Sequence, residues 1–351
     1  AQESRCECGV INNKFTPDPS CPVQIASVQT LVGRLGTINM DFDLCIVDEA
    51  HHTAATSWGK IVAALPYKCV RLGVTATPVR GDGKGLGVEF GGIYDSIVIG
   101  PQIAELITDK WLVQPDVYAP TKYVDLEAIR KLTDTQVLKM AELMSKPEII
   151  GDAIDHYRKY SNGIPAVAFC ASVKHAEAVA LKFSEAGIPS ESIDGTMDDD
   201  TRTKLLERFE AGDIKVLTSC DLISEGFDVP AIGCVILLAL TQSLGRFLQW
   251  VGRCLRPVDG KGNAVVLDHA GNCMIHGLPD EHREWSLSGV AKRKQQVNED
   301  GENLITYQCM SCYNVYVRTP SKRACPRCGS VAEPKEVPLE MPGTLTKLTK
   351  E

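Results

Sequence analysis

The sequence predicts an α/β protein built on parallel sheets with a small cysteine-bounded appendage, on three observations. Strand-like apolar runs alternate with helix-like runs over residues 1–118 and again over 146–285, the order that parallel strands joined by crossover helices require. The stretch Phe42-Asp-Leu-Cys-Ile-Val-Asp-Glu-Ala-His51 ends an apolar run in two adjacent carboxylates and a histidine. A buried parallel strand delivers acids in this way to the carboxyl edge of its sheet, where α/β proteins bind ligands. After about residue 286 the composition changes, and Cys309-Met-Ser-Cys312 and Cys325-Pro-Arg-Cys328 frame a compact module.

A chain of 351 residues is long enough for two such units plus an appendage, each with its own core. Hydrophobic residues make up 44% and charged residues 23%, an ordinary globular composition. No apolar run approaches the roughly 20 residues that cross a bilayer. The start, Ala1-Gln-Glu-Ser-Arg-Cys-Glu-Cys8, has neither the basic nor the apolar region of a signal peptide and no initiator methionine. The net charge of −8 excludes a protein coated in positive charge, but not a nucleic-acid groove, which needs only local Lys and Arg. Of the 14 cysteines, Cys45, Cys170, Cys220 and Cys234 fall in apolar strand-like runs, where free cysteine acts as a small hydrophobe. The cysteine pattern does not call for an oxidising compartment.

In the first unit, Ile25 to Leu31 leads into a helical stretch, and Leu44 to Val47 reads as a buried strand. Val70-Arg-Leu-Gly-Val-Thr75 reads as another strand, running into Thr75-Ala-Thr-Pro78, where Pro78 stops regular structure. Arg80 to Gly87 reads as a surface loop, and residues 119–145 as a polar, helix-prone bridge. The second unit begins at 146 with a strand at Pro165–Cys170 and a helix at Val173–Ala186 closed by Gly187. A strand at Ile188–Ile193, a helix at Asp199–Ala211, and strands at Lys215–Ser219 and Cys234–Leu238 follow. Phe247–Cys254 reads as helix and Ala264–Asp268 as the last strand. Residues 286–304 read as a linker, 305–333 as the cysteine module and 334–351 as a tail.

Three segments carry chemistry. Asp48 at a strand end can hold magnesium, and Glu49 beside it can orient water. Two acids also suit a helix start, but such a cap has no need of Leu-Cys-Ile-Val in front of it. In Thr75-Ala-Thr-Pro78, two hydroxyls beside a fixed turn can hydrogen-bond back to the 48–51 loop, although alone the segment reads as a simple turn. In Gln249-Trp-Val-Gly-Arg-Cys-Leu-Arg256, Arg253 and Arg256 are three apart and Gln249 one turn earlier, so all three share a helix face.

In this order, these segments make residues 10 to 275 resemble a superfamily 2 helicase of the DEAD/DEAH group, nearest the phage-type and type III restriction-subunit branch. The resemblance implies two RecA-like lobes with ATP and nucleic acid bound across the cleft between them. Asp48 and Glu49 would then be the Walker B pair, with Asp48 holding magnesium through water and Glu49 polarising the hydrolytic water. His51 would link the nucleotide site to the other lobe, and Thr75 and Thr77 would couple hydrolysis to lobe movement. Arg253 and Arg256 would act as arginine fingers, with Gln249 beside them. Ser224-Glu-Gly-Phe-Asp228 matches a motif that touches ribose and nucleic acid, which places Gly226 and Asp228 near the nucleotide. Gln29, Thr30, Ser172, Lys174, Thr218 and Ser219 are the candidates for holding the phosphates of a bound strand, since such donors position a backbone without reading sequence.

One element of the family is not found in the chain: no G-x-x-x-x-G-K-[ST] loop precedes Asp48, and Gly81-Asp-Gly-Lys-Gly85 lacks its Ser/Thr and its place. The expectation is that the first lobe is N-terminally incomplete and that a preceding segment carries the P-loop; a lobe that no longer hydrolyses ATP is the alternative.

Cys309, Cys312, Cys325 and Cys328 have the spacing of paired knuckles that place four thiolates around zinc. Arg318, Lys322, Arg323 and Arg327 interleave with Tyr307, Tyr313 and Tyr316, which suits either contact with a single strand or a purely structural ribbon. Cys6, Cys8 and Cys21 have poor ligand spacing and read as free thiols. Asp268-His-Ala-Gly-Asn272 with His276 forms a further polar cluster and reads as a structural turn.

The expected protein is an ATP-dependent DNA helicase or translocase using ATP, magnesium and zinc, with DNA favoured through the branch it resembles. An inactive nucleic-acid clamp and an RNA helicase are the alternatives. Its expected place is the cytoplasm of a bacterial or phage-infected cell, without secretion or membrane attachment.

Overall fold

The computed structural model describes residues 7–12, 18–53, 55–80, 84–119, 147–220, 232–258, 260–289, 305–309, 314–318 and 324–331. The expected helical bridge and the loop with Gly226 and Asp228 lie outside these residues.

The core of the molecule is a six-stranded parallel sheet. Its strands are β5 (Pro115–Tyr118), β6 (Ala166–Phe169), β7 (Ser190–Ile193), β8 (Val216–Ser219), β9 (Cys234–Leu237) and β10 (Ala264–Asp268), in the spatial order β5-β10-β9-β6-β8-β7. The four central strands are buried along their whole length, because side chains alternate between two faces and both faces are covered. Val167, Phe169, Leu217, Val235 and Leu237 enter one apolar cluster. Ala166, Ala168, Val216 and Ile236 enter a second on the opposite face.

Helices α4 (Pro147–Ser161), α5 (Val173–Glu185), α6 (Asp199–Glu210), α7 (Leu244–Leu255) and α8 (Asn272–His276) accompany this sheet. Their starts follow from capping: the side chains of Ser172, Asp198 and Ser243 accept the backbone N–H of His175, Thr201 and Arg246 respectively.

Residues through 118 read as the first unit, yet β5 pairs in parallel with β10, with Val117 opposite Val266. The first unit therefore gives its last strand to the second sheet.

The first unit holds β1 (Cys8–Ile11) paired with β2 (Val23–Ala26), and β3 (Leu44–Asp48) paired with β4 (Val70–Val74), both parallel. Helices α1 (Val28–Arg34), α2 (Thr56–Ala64) and α3 (Ile103–Thr108) belong to the same stretch. The strand at 44–47, expected to be buried, is covered on one side only. Val47 is buried, whereas Leu44, Ile46, Val70 and Leu72 on the other face are 50–62% exposed.

The glycine-rich segment after Pro78 is also corrected in part. Gly85 to Gly87 are buried rather than looped out, and a Cβ on Gly85 would sit 2.0 Å from the Leu287 carbonyl oxygen. Glycine is required for that backbone approach, and the Gly87 N–H donates to the same carbonyl at 3.0 Å. The segment thus ties the first unit to the chain leaving the second.

The cysteine module, with β11 (Ile305–Gln308) antiparallel to β12 (Val315–Arg318), sits on the β5 edge of the large sheet. Asn314 bridges Tyr118 in antiparallel pairing, and Val315 joins the main apolar cluster. The Arg327 guanidinium lies 4.8 Å from the Tyr118 ring centre and 3.6 Å from the Asp116 carboxylate.

Candidate functional site

Strand β3 ends by placing Asp48 and Glu49 at its carboxyl edge. Glu49 adopts left-handed backbone angles, φ 49° and ψ 51°, which a non-glycine residue holds at a cost of order 1 kcal/mol. The turn is held in part by the Asp48 Oδ1, which accepts the Glu49 N–H at 2.9 Å. It leads into a short 3₁₀ turn, Ala50–His52. There the His51 Nδ1 stands 3.0 Å from the Thr75 Oγ1 and 3.4 Å from the Glu49 Oε2.

Thr75 closes the neighbouring segment as well. Its Oγ1 accepts the Thr77 N–H at 3.1 Å. Thr77 is buried with its Oγ1 lacking a hydrogen-bond partner. Gly245, in the first turn of α7, abuts it: a Cβ there would lie 3.2 Å from the Thr77 Oγ1.

Helix α7 faces this loop from the second unit. Phe247, Leu248, Trp250, Val251, Cys254 and Leu255 are buried, and Trp250 stacks on Phe169 with ring centres 5.0 Å apart. That packing leaves Gln249 and Arg253 on the remaining face, whereas Arg256 is the extended C-cap residue just past the helix (φ −63°, ψ 132°), so the expected common helix face holds only for the first two. A cleft of about 990 Å³ lies between the units, lined by Glu49, Thr75 and Thr77 on one side and Gln249, Arg253 and Arg256 on the other. The Gln249 Nε2 comes within 3.5 Å of the Glu49 Oε2.

The expected phosphate-holding residues divide. Ser172 and Lys174 are exposed at the start of α5, although the Ser172 Oγ also accepts the His175 N–H. Gln29 is exposed, while Thr30 beside it is buried and its Oγ1 accepts the Ser27 hydroxyl. Thr218 and Ser219 are wholly buried, and the Thr218 hydroxyl donates to the Ala176 carbonyl at 2.8 Å. The strand that made them plausible also turns them inward, so Thr218 offers no free donor. The sequence reading missed Gly245, whose only signal is its position one turn before Gln249.

In the cysteine module, the sulfurs of Cys309, Cys325 and Cys328 lie within 4.8 Å of one another, with Cys309 and Cys328 at 3.5 Å. Sulfurs around a tetrahedral zinc at about 2.3 Å stand at comparable separations. Cys309 and Cys325 are 2% exposed. Cys312 lies outside the described residues. Among the described residues, no helix is long and apolar enough to cross a membrane.

Two family profiles match the chain: the helicase conserved C-terminal domain over residues 145–258, and the type III restriction enzyme res subunit over residues 2–80. A 51.5 kDa protein of a Lactococcus phage is 34% identical over 342 residues, 95% of this chain and 72% of that protein. The Saccharomyces cerevisiae protein IRC3, which carries the name of an ATP-dependent helicase, is 29% identical over 71% of this chain but only 37% of its own length. Among solved structures, a fragment of an HsdR-type subunit of a type I restriction enzyme from Vibrio vulnificus superposes with a TM-score of 0.61 at 20% identity, over 85% of this chain and 56% of that one. At that identity the likeness speaks for the fold. With both profiles in chain order and the phage relative matching 95% of this chain, the chain belongs to the superfamily 2 helicases, ATP-hydrolysing enzymes, in the branch of the restriction-enzyme subunits.

Proposed function

We propose that this chain supplies most of an ATP-dependent DNA translocase or helicase. The observation that carries the reading is the cleft in which Glu49 faces Gln249, Arg253 and Arg256 from opposite units. An acid on one wall and two cations on the other suit a polyphosphate whose charge rises during hydrolysis. ATP, when bound, supplies the phosphoanhydride bond and Mg²⁺ the charge that neutralises its oxygens. Asp48 would hold the metal through water, and Glu49, fixed by its left-handed turn, would orient the attacking water. Arg253 and Arg256 would stabilise charge on the transferred phosphoryl group. His51 and Thr75, joined at 3.0 Å, would pass the state of that turn to Thr77 and thence to α7.

DNA is the favoured track because one profile describes a restriction-enzyme subunit and the phage relative covers nearly the whole chain. Ser172 and Lys174, exposed at the carboxyl edge of the sheet, would hold its phosphates, with Gln29 from the first unit. Gly226 and Asp228 would complete the nucleotide site. Zinc would be held by Cys309, Cys312, Cys325 and Cys328. A bacterial or phage-infected cytoplasm is the setting that fits these roles.

A second reading, a clamp that does not hydrolyse ATP, is favoured by one observation: the 351 residues contain no G-x-x-x-x-G-K-[ST] loop. The test is ATP turnover by the full-length protein with single-stranded DNA, with RNA and with neither, beside Arg253→Ala. Turnover stimulated by DNA and lost in the variant supports the motor. DNA binding without turnover supports the clamp, and stimulation by RNA alone overturns the choice of track.

A further inference from the structure

We propose that the buried Asp268–Asn272 segment and Lys261 are positioning residues that fix helix α7 at both ends, and so set where its cleft-facing side chains stand. The inference deepens, and rests on, the reading of α7 as the helix that brings Gln249 and the arginines to the nucleotide.

The Asp-His-Ala-Gly-Asn segment follows β10 and carries no role in the chemistry above. Asp268 and Asn272 are 1% and 0% exposed. The Asp268 carboxylate accepts the Gly271 N–H at 3.0 Å, the Asn272 side-chain amide at 3.2 Å and the Cys273 N–H at 2.6 Å. Gly271, at φ 81°, permits the turn that aims these donors at one carboxylate. Asn272 in turn donates to the Ala239 carbonyl at 2.9 Å and accepts the Thr241 N–H at 2.9 Å. The Thr241 Oγ1 accepts the Ser243 N–H at 3.1 Å, and the Ser243 Oγ accepts the Arg246 N–H as the N-cap of α7. His276 adds a contact to the Thr241 carbonyl at 2.8 Å. A continuous chain of hydrogen bonds thus runs from the end of β10 to the first turn of α7.

The other end is held by one ammonium. The Lys261 Nζ donates to the carbonyls of Ile232 and Arg256, each at 2.8 Å, and to that of Cys254. A helix ends with unpaired carbonyls and partial negative charge, and a lysine there answers both.

Apolar packing alone does not require this. The buried face of α7 already holds it to the sheet, and the polar contacts at its two ends add fixed points along its axis. Register matters to the cleft, because Gln249 stands 3.5 Å from Glu49 and a Cβ on Gly245 would already meet Thr77 at 3.2 Å. Misplacement by about 1 Å can cost a hundredfold in rate.

The test uses the full-length protein with single-stranded DNA. Asn272→Ala, Lys261→Met and Thr241→Val should each lower kcat by about 10- to 100-fold with the KM for ATP little changed. Thr241→Ser, which keeps the Oγ acceptor, should retain kcat. Unchanged kcat in Asn272→Ala, or equal loss in Thr241→Ser and Thr241→Val, would overturn the inference. Arg253→Ala separates the two readings: if it alone abolishes turnover, the arginine assignment stands and the positioning role falls. Amide hydrogen exchange reads the anchoring without turnover. The first turn of α7 should exchange faster in folded Asn272→Ala while β9 is unchanged; full protection there would also overturn it.

Discussion

The Glu49 carboxylate and the Gln249 carboxamide meet at 3.5 Å although they come from different units of the chain. The contact brings the end of β3 and the middle of α7 to one point, and it joins the acid wall of the cleft to the cationic wall. The left-handed turn and the Asp48 carboxylate fix the Glu49 backbone, and the contact with Gln249 is made by the side chain that this backbone carries. The two units therefore meet at this point.

Glu49→Gln keeps the size of the side chain and removes its basicity. In the full-length protein, DNA-stimulated ATP hydrolysis should fall by about 10²- to 10⁴-fold, the range expected on removing a general base, while ATP binding persists. Turnover near that of the unaltered protein would remove Glu49 from the role of base.

Gly245→Ala tests a further close approach between the units. Alanine favours a helix interior over glycine by up to about 1 kcal/mol, so thermal stability should hold or rise. Its methyl group, however, would press on Thr77 and part the units by a few tenths of an ångström. Turnover should fall several-fold with no loss of Tm. A parallel fall of both would mean that the methyl group disturbs packing rather than closure.

Much of this was legible because it is local. The apolar runs of β3, β4, β8, β9 and β10 announce themselves, and the spacing of Gln249 and Arg253 puts them on one helix face before any fold is known, although the helix stops before Arg256. What was illegible depends on distant partners. The segment Pro115-Asp-Val-Tyr118 has no local feature that assigns it to the second sheet; its register with Ala264–Leu267 does. Thr30 and Thr218 show the same limit, since a hydroxyl at a strand or helix end serves a ligand or a carbonyl equally well until its surroundings are placed. Asn272 looked like a turn residue because its partner, Thr241, lies 31 positions earlier.

Zinc, if held by the cysteine module, would on removal loosen what the module organises. The Cys309 N–H donates to the Asn314 carbonyl at 2.9 Å, and Asn314 is the residue that pairs with Tyr118. Chelation, or Cys328→Ser, should lower the Tm by at least about 4 °C, the shift expected for a loss of 1–2 kcal/mol in a unit of this size. Exchange of the β5 amides should rise with it. Identical melting with and without chelator, in protein shown to contain zinc, would make the module a passive passenger.

His269 gives the second unit an acid sensitivity. Burial first, and the nearby His156 second, push its pKa down to about 3. The two rings stack with centres 5.2 Å apart. In the unfolded chain the imidazole takes up a proton near pH 6.5, while the folded ring stays neutral until about pH 3. Stability from this residue is thus complete above pH 6.5 and declines as pH falls from 6.5 toward 3, by up to about 1.4 kcal/mol per pH unit. Urea midpoints measured at pH 7.5 and 5 should separate less in His269→Gln than in the unaltered protein. An equal separation would assign the acid limb to other groups.

The placement of the cysteine module over β5 reaches beyond the stability of one molecule. A terminal strand of a parallel sheet offers a ladder of main-chain donors and acceptors to any chain that arrives alongside it. Here Asn314 occupies part of that ladder and Arg327 lies across Tyr118. The cluster of Cys309, Cys325 and Cys328 sulfurs therefore belongs to the part of the chain that covers this edge. If those sulfurs hold zinc, loss of the metal would uncover this edge, and a second copy of the chain could then pair along it.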